Sequence, residues 1–241
     1  MVLLVYLLYA CAQLELTPAR FATGLEHGAK FMARLFPPDF KRWELLVKGM
    51  VESLQIAIVA SALGTLLSLP LALLAARNLM PVWASWPARA VMVVCRSFHP
   101  VIVAILFVKA VGFGALAGIL ALTVASVGFL GKLMTEAIEE ISLKQVEAVR
   151  ATGAPFASVV TYAVLPQVFS RFVGFVSYET DANLRNSTMV GIVGAGGIGG
   201  TLFAAFQRFD YDFVCAIVLT IIALIMAGEV LTVQVKKVFK A

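Results

Sequence analysis

The sequence predicts an all-α, polytopic membrane protein with about six transmembrane helices. Of its 241 residues, 61% are hydrophobic and 14% are charged, and the mean hydropathy is +0.95. A soluble domain is typically about 45–50% apolar and about 25% charged, so this composition excludes one. The net charge of +5 comes without a basic patch interleaved with aromatic residues, so nucleic-acid binding is not indicated. Basic residues at the ends of apolar runs explain the charge, because they set membrane topology.

The N-terminal 42 residues are predicted to form a first span and a surface helix, ahead of a membrane core at residues 43–241. The uncharged run Val2–Ala12 is shorter than the roughly 20 residues that a span needs, so either this span is short or the native chain begins upstream. A signal peptide is the alternative, but no positively charged segment precedes the run. Thr17 and Pro18 are typical of a helix start, and the pattern that follows favours a helix lying on the membrane surface.

Five further apolar segments follow, separated by charged residues, prolines or glycines. The first of them can reach back to Trp43, and Gly64 within it offers a close contact between helices. A short turn at 81–87 is expected to carry tryptophans at interfacial depth, and Pro100 is expected to kink the next segment. The helix of the third segment can continue to Glu140. The predicted limits are about 51–76, 88–111, 115–131, 167–193 and 211–235.

Basic residues also predict the orientation of these spans. The C-terminal lysines and the turn between Arg77 and Arg89 belong in the cytoplasm, because cytoplasmic loops carry an excess of lysine and arginine. With about six spans, both termini are then cytoplasmic. The surface helix between Arg20 and Arg42 falls outside, against the local charge rule.

A charged stretch, Glu147–Pro166, interrupts the apolar segments within a loop that spans 143–166. Residues 144–151 favour a helix, and Gly153 suits the left-handed position that follows a helix end. Such an element is too polar for lipid and too short for a domain. It is expected to lie at the cytoplasmic surface and to dock on a partner.

The second half of this stretch is predicted to be another short helix. Pro155 suits the first turn of a helix, where its missing N–H is not needed. Pro166 is expected to break that helix, since Leu165 before it is biased away from the helical conformation.

Polar residues occupy the middle of the apolar segment at 167–193. Asp181 and Arg185 stand four apart and can pair on a helix, while Glu179 lies on another face with the two asparagines. At bilayer depth such groups either line a translocation path or form an internal pair that fixes helix packing, and both alternatives stay open. The full set is Glu179, Asp181, Asn183, Arg185, Asn186, Ser187 and Thr188.

A glycine-rich run follows, with Gly194, Gly196, Gly197 and Gly199 in the pattern of a dinucleotide-binding fingerprint. The flanks are membrane segments and no βαβ unit surrounds the run, so a bend or gate with close backbone packing is favoured instead. Its N–H groups are possible anion contacts.

An enzyme is not indicated by the residues that could support catalysis. The chain has two histidines, and neither joins a nucleophile with a base or a metal cluster. His99, beside Pro100, is interpreted as a hydrogen-bonded structural residue, with a proton carrier as the alternative.

Two sets of residues carry a resemblance to known permeases. Glu147, Ala148, Gly153, Leu165 and Pro166 match the spacing of the EAA loop of binding-protein-dependent ABC-transporter permeases, in which this loop inserts into a groove of the ATPase subunit. Runs over most of the chain after Trp43 resemble the phosphonate-transporter permease family, although His99 stands where that family tends to show proline. These runs are 66–78, 96–98, 131–140 and 183–199.

The resemblance implies a MetI-like ABC permease fold and a homodimer in the bacterial inner membrane. It implies two cytoplasmic ATPase subunits that use ATP and Mg, a periplasmic substrate-binding protein, and no cofactor in this chain. The implied cargo is phosphonate or a related phosphorus oxyanion such as phosphite or a phosphate ester. A permease for another solute, such as methionine, is the nearest alternative, and a membrane-embedded enzyme or a stand-alone channel is more remote.

Overall fold

A computed structural model describes residues 2–14 and 17–239, and in these ranges it contains helices and no β-strand. This confirms the all-α prediction. In chain order the helices are α1 (Val2–Gln13), α2 (Pro18–Leu35), α3 (Trp43–Ala75), α4 (Val82–Ser97), α5 (Pro100–Val111), α6 (Ala115–Glu139), α7 (Leu143–Ala151), α8 (Phe156–Val159), a π-helical turn (Val160–Val164), α9 (Leu165–Ile192), α10 (Ile198–Gln207) and α11 (Tyr211–Phe239).

Four helices in the described ranges are long and apolar enough to cross a membrane: α3, α6, α11 and the continuous run Phe156–Ile192 that contains α9. α4 and α5 supply a fifth if this pair, bent by 90°, is counted as one span. The predicted number of six is therefore not confirmed, and the difference lies in α1. Its 12 residues extend about 18 Å, against about 30 Å for the hydrocarbon core of a bilayer.

The predicted helix start at Thr17 and Pro18 is confirmed. The Thr17 hydroxyl oxygen accepts a hydrogen bond from the Arg20 N–H at 3.3 Å, and Pro18 occupies the first turn of α2. α2 has no buried residue and lies on the outside of the bundle, where Phe31 packs edge-on against Tyr211 of α11.

The expected turn at 81–87 is wrong, because the chain is already helical from Val82. Pro81 is the N-cap residue of α4, and Pro87 lies inside the helix on its exposed side. A proline there removes one backbone donor near the start of the helix, a loss that the exposed first turns tolerate.

The predicted kink at Pro100 is instead a complete break, with α4 and α5 at 90° to each other. Pro100 begins α5, a position that requires no N–H. His99 is the N-cap residue, and its Nδ1 accepts a hydrogen bond from the Val101 N–H at 3.3 Å. This contact supports the structural interpretation of His99.

α6 is the central helix of the bundle and contacts α3, α4, α5 and α9. Small residues permit these close contacts, as packing between membrane helices requires. A Cβ added at Gly64 of α3 would overlap the Ser126 side chain of α6, which confirms the predicted close contact. A Cβ added at Gly128 would lie 2.6 Å from Cγ of Arg96, so α4 also packs directly onto α6.

One end of the bundle, here called the α7 end, gathers the last turns of α3 and α6 and the first turn of α9. Glu139 Oε1 accepts hydrogen bonds from the Arg77 N–H at 2.8 Å and from the Arg89 guanidinium at 2.6 Å. The Asn78 amide donates to the Ile138 carbonyl at 2.7 Å. Lys236 of α11 lies in a groove at the same end, beside Arg171.

The opposite end, here called the glycine end, contains the connections 112–114 and 193–197. The Gly114 N–H donates to the Gly194 carbonyl at 3.0 Å, which joins the two connections. The start of α11 is fixed nearby, because Asp210 pairs with Arg42 at 2.5 Å. Basic residues Arg77, Arg89 and Lys236 therefore lie together at the α7 end, as the topology prediction requires, while the orientation across the membrane stays a prediction.

Candidate functional site

The predicted docking element is a short helix, α7, that presents most of its surface to the outside. Val146 is its one buried residue, with 1% of its surface exposed. Glu147 and Ala148, which follow it, are exposed, as are Lys144 and Arg150. Since only Val146 is buried, the other faces of α7 are accessible to a partner.

Hydrogen bonds and an ion pair join α9 to residues 140–142, which connect α6 to α7. Gln167 Oε1 accepts from the Ser142 N–H at 2.9 Å, and its amide nitrogen donates to the Ala163 carbonyl at 2.6 Å. Arg171 pairs with Glu140 at 2.6 Å. Beneath them, Val146 belongs to a hydrophobic cluster formed by residues of α3, α6, α8, the π turn and α9. Val146 therefore seats α7 on these helices.

Gly153 has the left-handed conformation that the sequence predicts, with φ of +75°. A Cβ added there would have no atom within 4 Å. The requirement for glycine at this position is thus conformational, since nothing in the chain crowds it.

The predicted break at Pro166 is wrong, because the helix continues through it from Phe156 to Ile192. The turn Val160–Val164 before it is a π-helical turn, in which the Leu165 N–H donates to the Val160 carbonyl five residues earlier. Pro166 then occupies the first turn of α9, where its missing N–H requires no partner. The helix therefore continues through Pro166, because the π-helical turn precedes it.

Three of the predicted path residues, Glu179, Asn183 and Ser187, are buried inside the chain. Ser126 donates to Glu179 at 2.6 Å, and the Asn183 amide donates to Ser126 at 2.8 Å and to Ser61 at 3.0 Å. Ser61, Ser126, Glu179 and Asn183 are here called the buried polar cluster. It joins α3, α6 and α9, and the role of its α9 members in a translocation path stays a prediction.

The predicted pair on the neighbouring face is confirmed, with Arg185 Nη2 at 2.6 Å from Asp181 Oδ2. The two partners differ in exposure, since the Asp181 side chain is 10% exposed and the Arg185 side chain 43%. The Arg185 side chain therefore reaches the surface of this chain, while the Asp181 carboxylate lies mostly inside. Asn186 and Thr188 are half-buried.

The glycine-rich run forms a tight bend, as predicted, and packs against the starts of α3 and α6. Gly194, Gly196 and Gly197 have positive φ angles of +89°, +84° and +79°. A Cβ at Gly196 would lie 2.8 Å from the Ala115 backbone, and one at Gly199 would overlap the Thr188 carbonyl. Gly196 therefore requires glycine for both conformation and space, and Gly199 for space alone.

The partners of the polar residues on α9 were not predicted from the sequence. Ser61 and Ser126 lie within apolar runs, and nothing beside them in the sequence marks them as partners of α9. α10 was also missed, because its ten residues follow the glycine-rich run without a start signal. Among the described residues, no group of three His, Cys, Asp or Glu side chains could hold a metal ion.

Comparison with known proteins identifies the family. Residues 68–240, more than half of the chain, match the family described as binding-protein-dependent transport system inner membrane component. The chain belongs to this family. It is a multi-pass membrane permease, and the exposed helix α7 and the polar helix α9 both lie within the matched region.

Three relatives are permeases named for phosphate import, phosphite transport and D-methionine transport. The permease is 39% identical over 218 residues to the phosphate-import permease protein PhnE of Mycolicibacterium smegmatis, covering 90% of this chain and 41% of that protein. It is 38% identical over 235 residues to the phosphite transport system permease protein PtxC of Stutzerimonas stutzeri, covering 97% of this chain and 86% of that protein. The probable D-methionine transport system permease protein MetI of Vibrio cholerae is 26% identical over 194 residues.

The fold matches that of solved ABC-transporter structures. A chain of the MetNI methionine ABC transporter in an inward-facing conformation aligns with a TM-score of 0.73 at 22% identity, covering 83% of this chain and 99% of that one. An amino acid ABC transporter aligns with a TM-score of 0.63 at 20% identity. These likenesses establish the MetI-like permease fold.

The buried polar cluster makes a measurable contribution to stability. Replacing Ser126 by alanine removes the donor to Glu179 and an acceptor for Asn183, so we expect a loss of about 1–3 kcal/mol, the cost of leaving buried polar groups unpaired. Thermal unfolding of the purified chain in detergent would show this as a lower midpoint. Ser97→Ala is the matched control, because that exposed hydroxyl bonds only to the Val93 carbonyl of its own helix. Equal midpoints for both variants would contradict the proposed importance of the cluster.

Proposed function

We propose that the chain is the transmembrane permease subunit of an ABC importer for phosphonate or a related phosphorus oxyanion, driven by a separate ATPase subunit. The supporting observation is the pattern of identity among relatives. PhnE of Mycolicibacterium smegmatis and PtxC of Stutzerimonas stutzeri, named for phosphate import and phosphite transport, are 39% and 38% identical over 90% and 97% of this chain, whereas a methionine permease is 26% identical over 76% of it. A methionine importer is therefore the less supported alternative, and an enzyme has no support from the family.

The proposed ATPase contact is the exposed surface of α7, with Glu147 and Ala148 at its centre. Transmission of a movement requires an element that is accessible on one side and rigidly attached on the other. The exposed residues supply the first condition, and the Gln167 and Arg171 contacts to residues 140–142 supply the second. Leu165 and Pro166 then lead directly into α9, so displacement of α7 reaches the polar middle of that helix.

The proposed assembly is two copies of this chain, two cytoplasmic ATPase subunits that use ATP and Mg, and a periplasmic substrate-binding protein. The α7 end is assigned to the cytoplasm because it carries Arg77, Arg89 and Lys236, and such residues are enriched on that side. The C-terminus would then be cytoplasmic and the glycine end periplasmic, and a cytoplasmic N-terminus additionally requires α1 to cross the membrane as a sixth span. The bend at Gly194–Gly199 is proposed to act at the periplasmic entrance.

Arg185 is proposed to assist the anion in passing through the permease. Its side chain is 43% exposed, and its guanidinium can present paired N–H groups to the oxygens of a phosphorus oxyanion. Asp181 balances its charge between transport events, which reduces the cost of a cation at membrane depth.

The substrate class is tested by uptake. Cells that lack other phosphorus importers and express the permease with its ATPase and binding protein should accumulate labelled phosphite or methylphosphonate, and labelled methionine should not accumulate above background. Cells without the permease are the control. Accumulation of methionine alone would contradict the proposed cargo.

The coupling role is tested at Gly153. Valine there should reduce uptake and stimulated ATP hydrolysis severely while membrane insertion stays normal, because a β-branched residue disfavours the left-handed conformation by about 1–2 kcal/mol or more. Gly153→Asn is the matched control and should retain most activity, since asparagine tolerates this conformation. Normal uptake with valine would show that the turn is not needed for coupling.

The path role is tested on the Asp181–Arg185 pair. Arg185→Gln should leave a well-assembled complex with uptake reduced about tenfold, since a hydrogen bond to a charged group contributes about 1.5–3 kcal/mol, and Asp181→Asn should not restore it. Yield and uptake are measured on the two single variants, the double variant and the exposed control Arg208→Gln. A structural role predicts a different result: Arg185→Gln would lower the yield of assembled complex, and the double variant would restore it, because no lone buried carboxylate would remain.

A further inference from the structure

A cavity of about 250 Å³ lies between α4 and α6, next to the α7 end of the bundle. Its lining includes Arg89 and Arg96 from α4 and Lys132 and Glu136 from α6. None of these residues belongs to the α7 surface or to the polar middle of α9. The volume is several times the roughly 30 Å³ that one water molecule occupies in the liquid, so the cavity has room for a polyatomic anion.

The sequence builds this cavity by helical spacing and by two glycines. Arg89 and Arg96 stand seven apart and therefore lie on one face of α4, as do residues 132 and 136 on α6. A Cβ at Gly128 would lie 2.6 Å from Arg96 Cγ, and one at Gly131 would lie 2.9 Å from the Met92 sulfur. Because both positions lack side chains, α4 rests on α6 and the Arg96 stem is held against it.

The charges that line the cavity do not balance. Arg89 is paired with Glu139 at 2.6 Å, and Lys132 lies 3.4 Å from Glu136. Arg96 has no acidic partner within 4 Å among the residues that the structure describes. One guanidinium at the cavity is therefore left without a counter-charge.

Arg96 is exposed on the surface of this chain, and its position along α4 places it at membrane depth, where an unpaired charge is costly. It lies seven residues beyond Arg89 along α4, about 10 Å further from the α7 end. The adjacent Gly128 is eleven residues before the last residue of α6, about 16 Å from it. A cation at membrane depth requires a partner, a water-filled space or a ligand.

We propose that this cavity binds a phosphate-type oxyanion, with the Arg96 guanidinium as the principal ligand and the Lys132 ammonium as the second cation. A guanidinium matches two oxygens of such a group with paired hydrogen bonds, and a lysine adds a point charge. Either a phospholipid headgroup or a free phosphorus oxyanion supplies this chemistry, and basic cavities between membrane helices are known to suit lipid headgroups. Binding of a headgroup is independent of the proposed transport function, because a bilayer lipid can fill the cavity whatever the cargo, whereas binding of a free phosphorus oxyanion rests on that function.

Two binding measurements on the purified full-length chain test the site and separate its sources. In the first, nanodiscs of phosphatidylcholine with phosphatidylglycerol are dissociated in a native mass spectrometer, and the phosphatidylglycerol retained per chain is counted. In the second, labelled inorganic phosphate is dialysed to equilibrium against chain in phosphatidylcholine nanodiscs. The variants are Arg96→Gln, Arg96→Lys and Lys132→Gln, with Arg208→Gln as the control for loss of an exposed arginine.

We expect binding by the unmodified chain and by Arg208→Gln, a decrease of about tenfold or more in Arg96→Gln, and an intermediate value in Arg96→Lys, which keeps the charge but loses the paired hydrogen bonds. A decrease confined to the lipid measurement identifies a headgroup, and one confined to the phosphate measurement identifies a free anion. Equal values for all variants in both measurements, or no saturable binding by the unmodified chain, overturn the proposal. If Arg96→Gln is not monodisperse, Lys132→Gln decides, since its half-exposed side chain can be changed without disturbing the core.

Discussion

The bundle depends on the contact between α3 and α6 at Gly64 and Ser126. No side chain fits at position 64, so the two helices approach closely enough to place the Ser126 hydroxyl within reach of α9. Glu179 and Asn183 are then buried with partners, and a buried polar network is favourable only while its members stay in contact. The close contact between α3 and α6 is therefore linked to the orientation of α9 about its axis. In that orientation, Asp181 and Arg185 lie on a different face of α9 from the buried polar cluster.

The α7 end combines accessibility with stiffness. A helix seated by one buried valine would be mobile if its connections were loose, yet Gln167 and Arg171 hold the residues that precede it. The same end carries the bonds from Arg77 and Arg89 to Glu139, which tie α3 and α4 to α6. Together these contacts link the residues around α7 to α3, α4, α6 and α9.

Features that depend on neighbouring residues in the chain were predictable from the sequence, and contacts between distant helices were not. Thr17 with Pro18 and the left-handed Gly153 were predicted correctly because each depends on its own backbone and nearest neighbours. Pro87 was expected in a turn and Pro166 at a helix break. The structure keeps both inside helical segments, because Pro87 lies on the exposed side of α4 and a wider π-helical turn precedes Pro166. The Asp181–Arg185 pair followed from spacing, whereas the partners of Glu179 and Asn183 lie more than fifty residues away on other helices. No pattern within α9 could identify them.

The π-helical turn at Val160–Val164 has a consequence for the angular register of α9. Each residue of an α-helix advances the chain by about 100° around the axis, so one extra residue within a turn rotates everything after it by that amount. The two consecutive buried residues Ala163 and Val164 show where this phase shift occurs. Upstream, Val159 packs beneath the α7 end, and downstream the same side of the helix continues through Val168 and Phe172 to Glu179. The π-helical turn thus places the residues that pack at the α7 end and the buried polar residues that follow them on one side of a continuous helix.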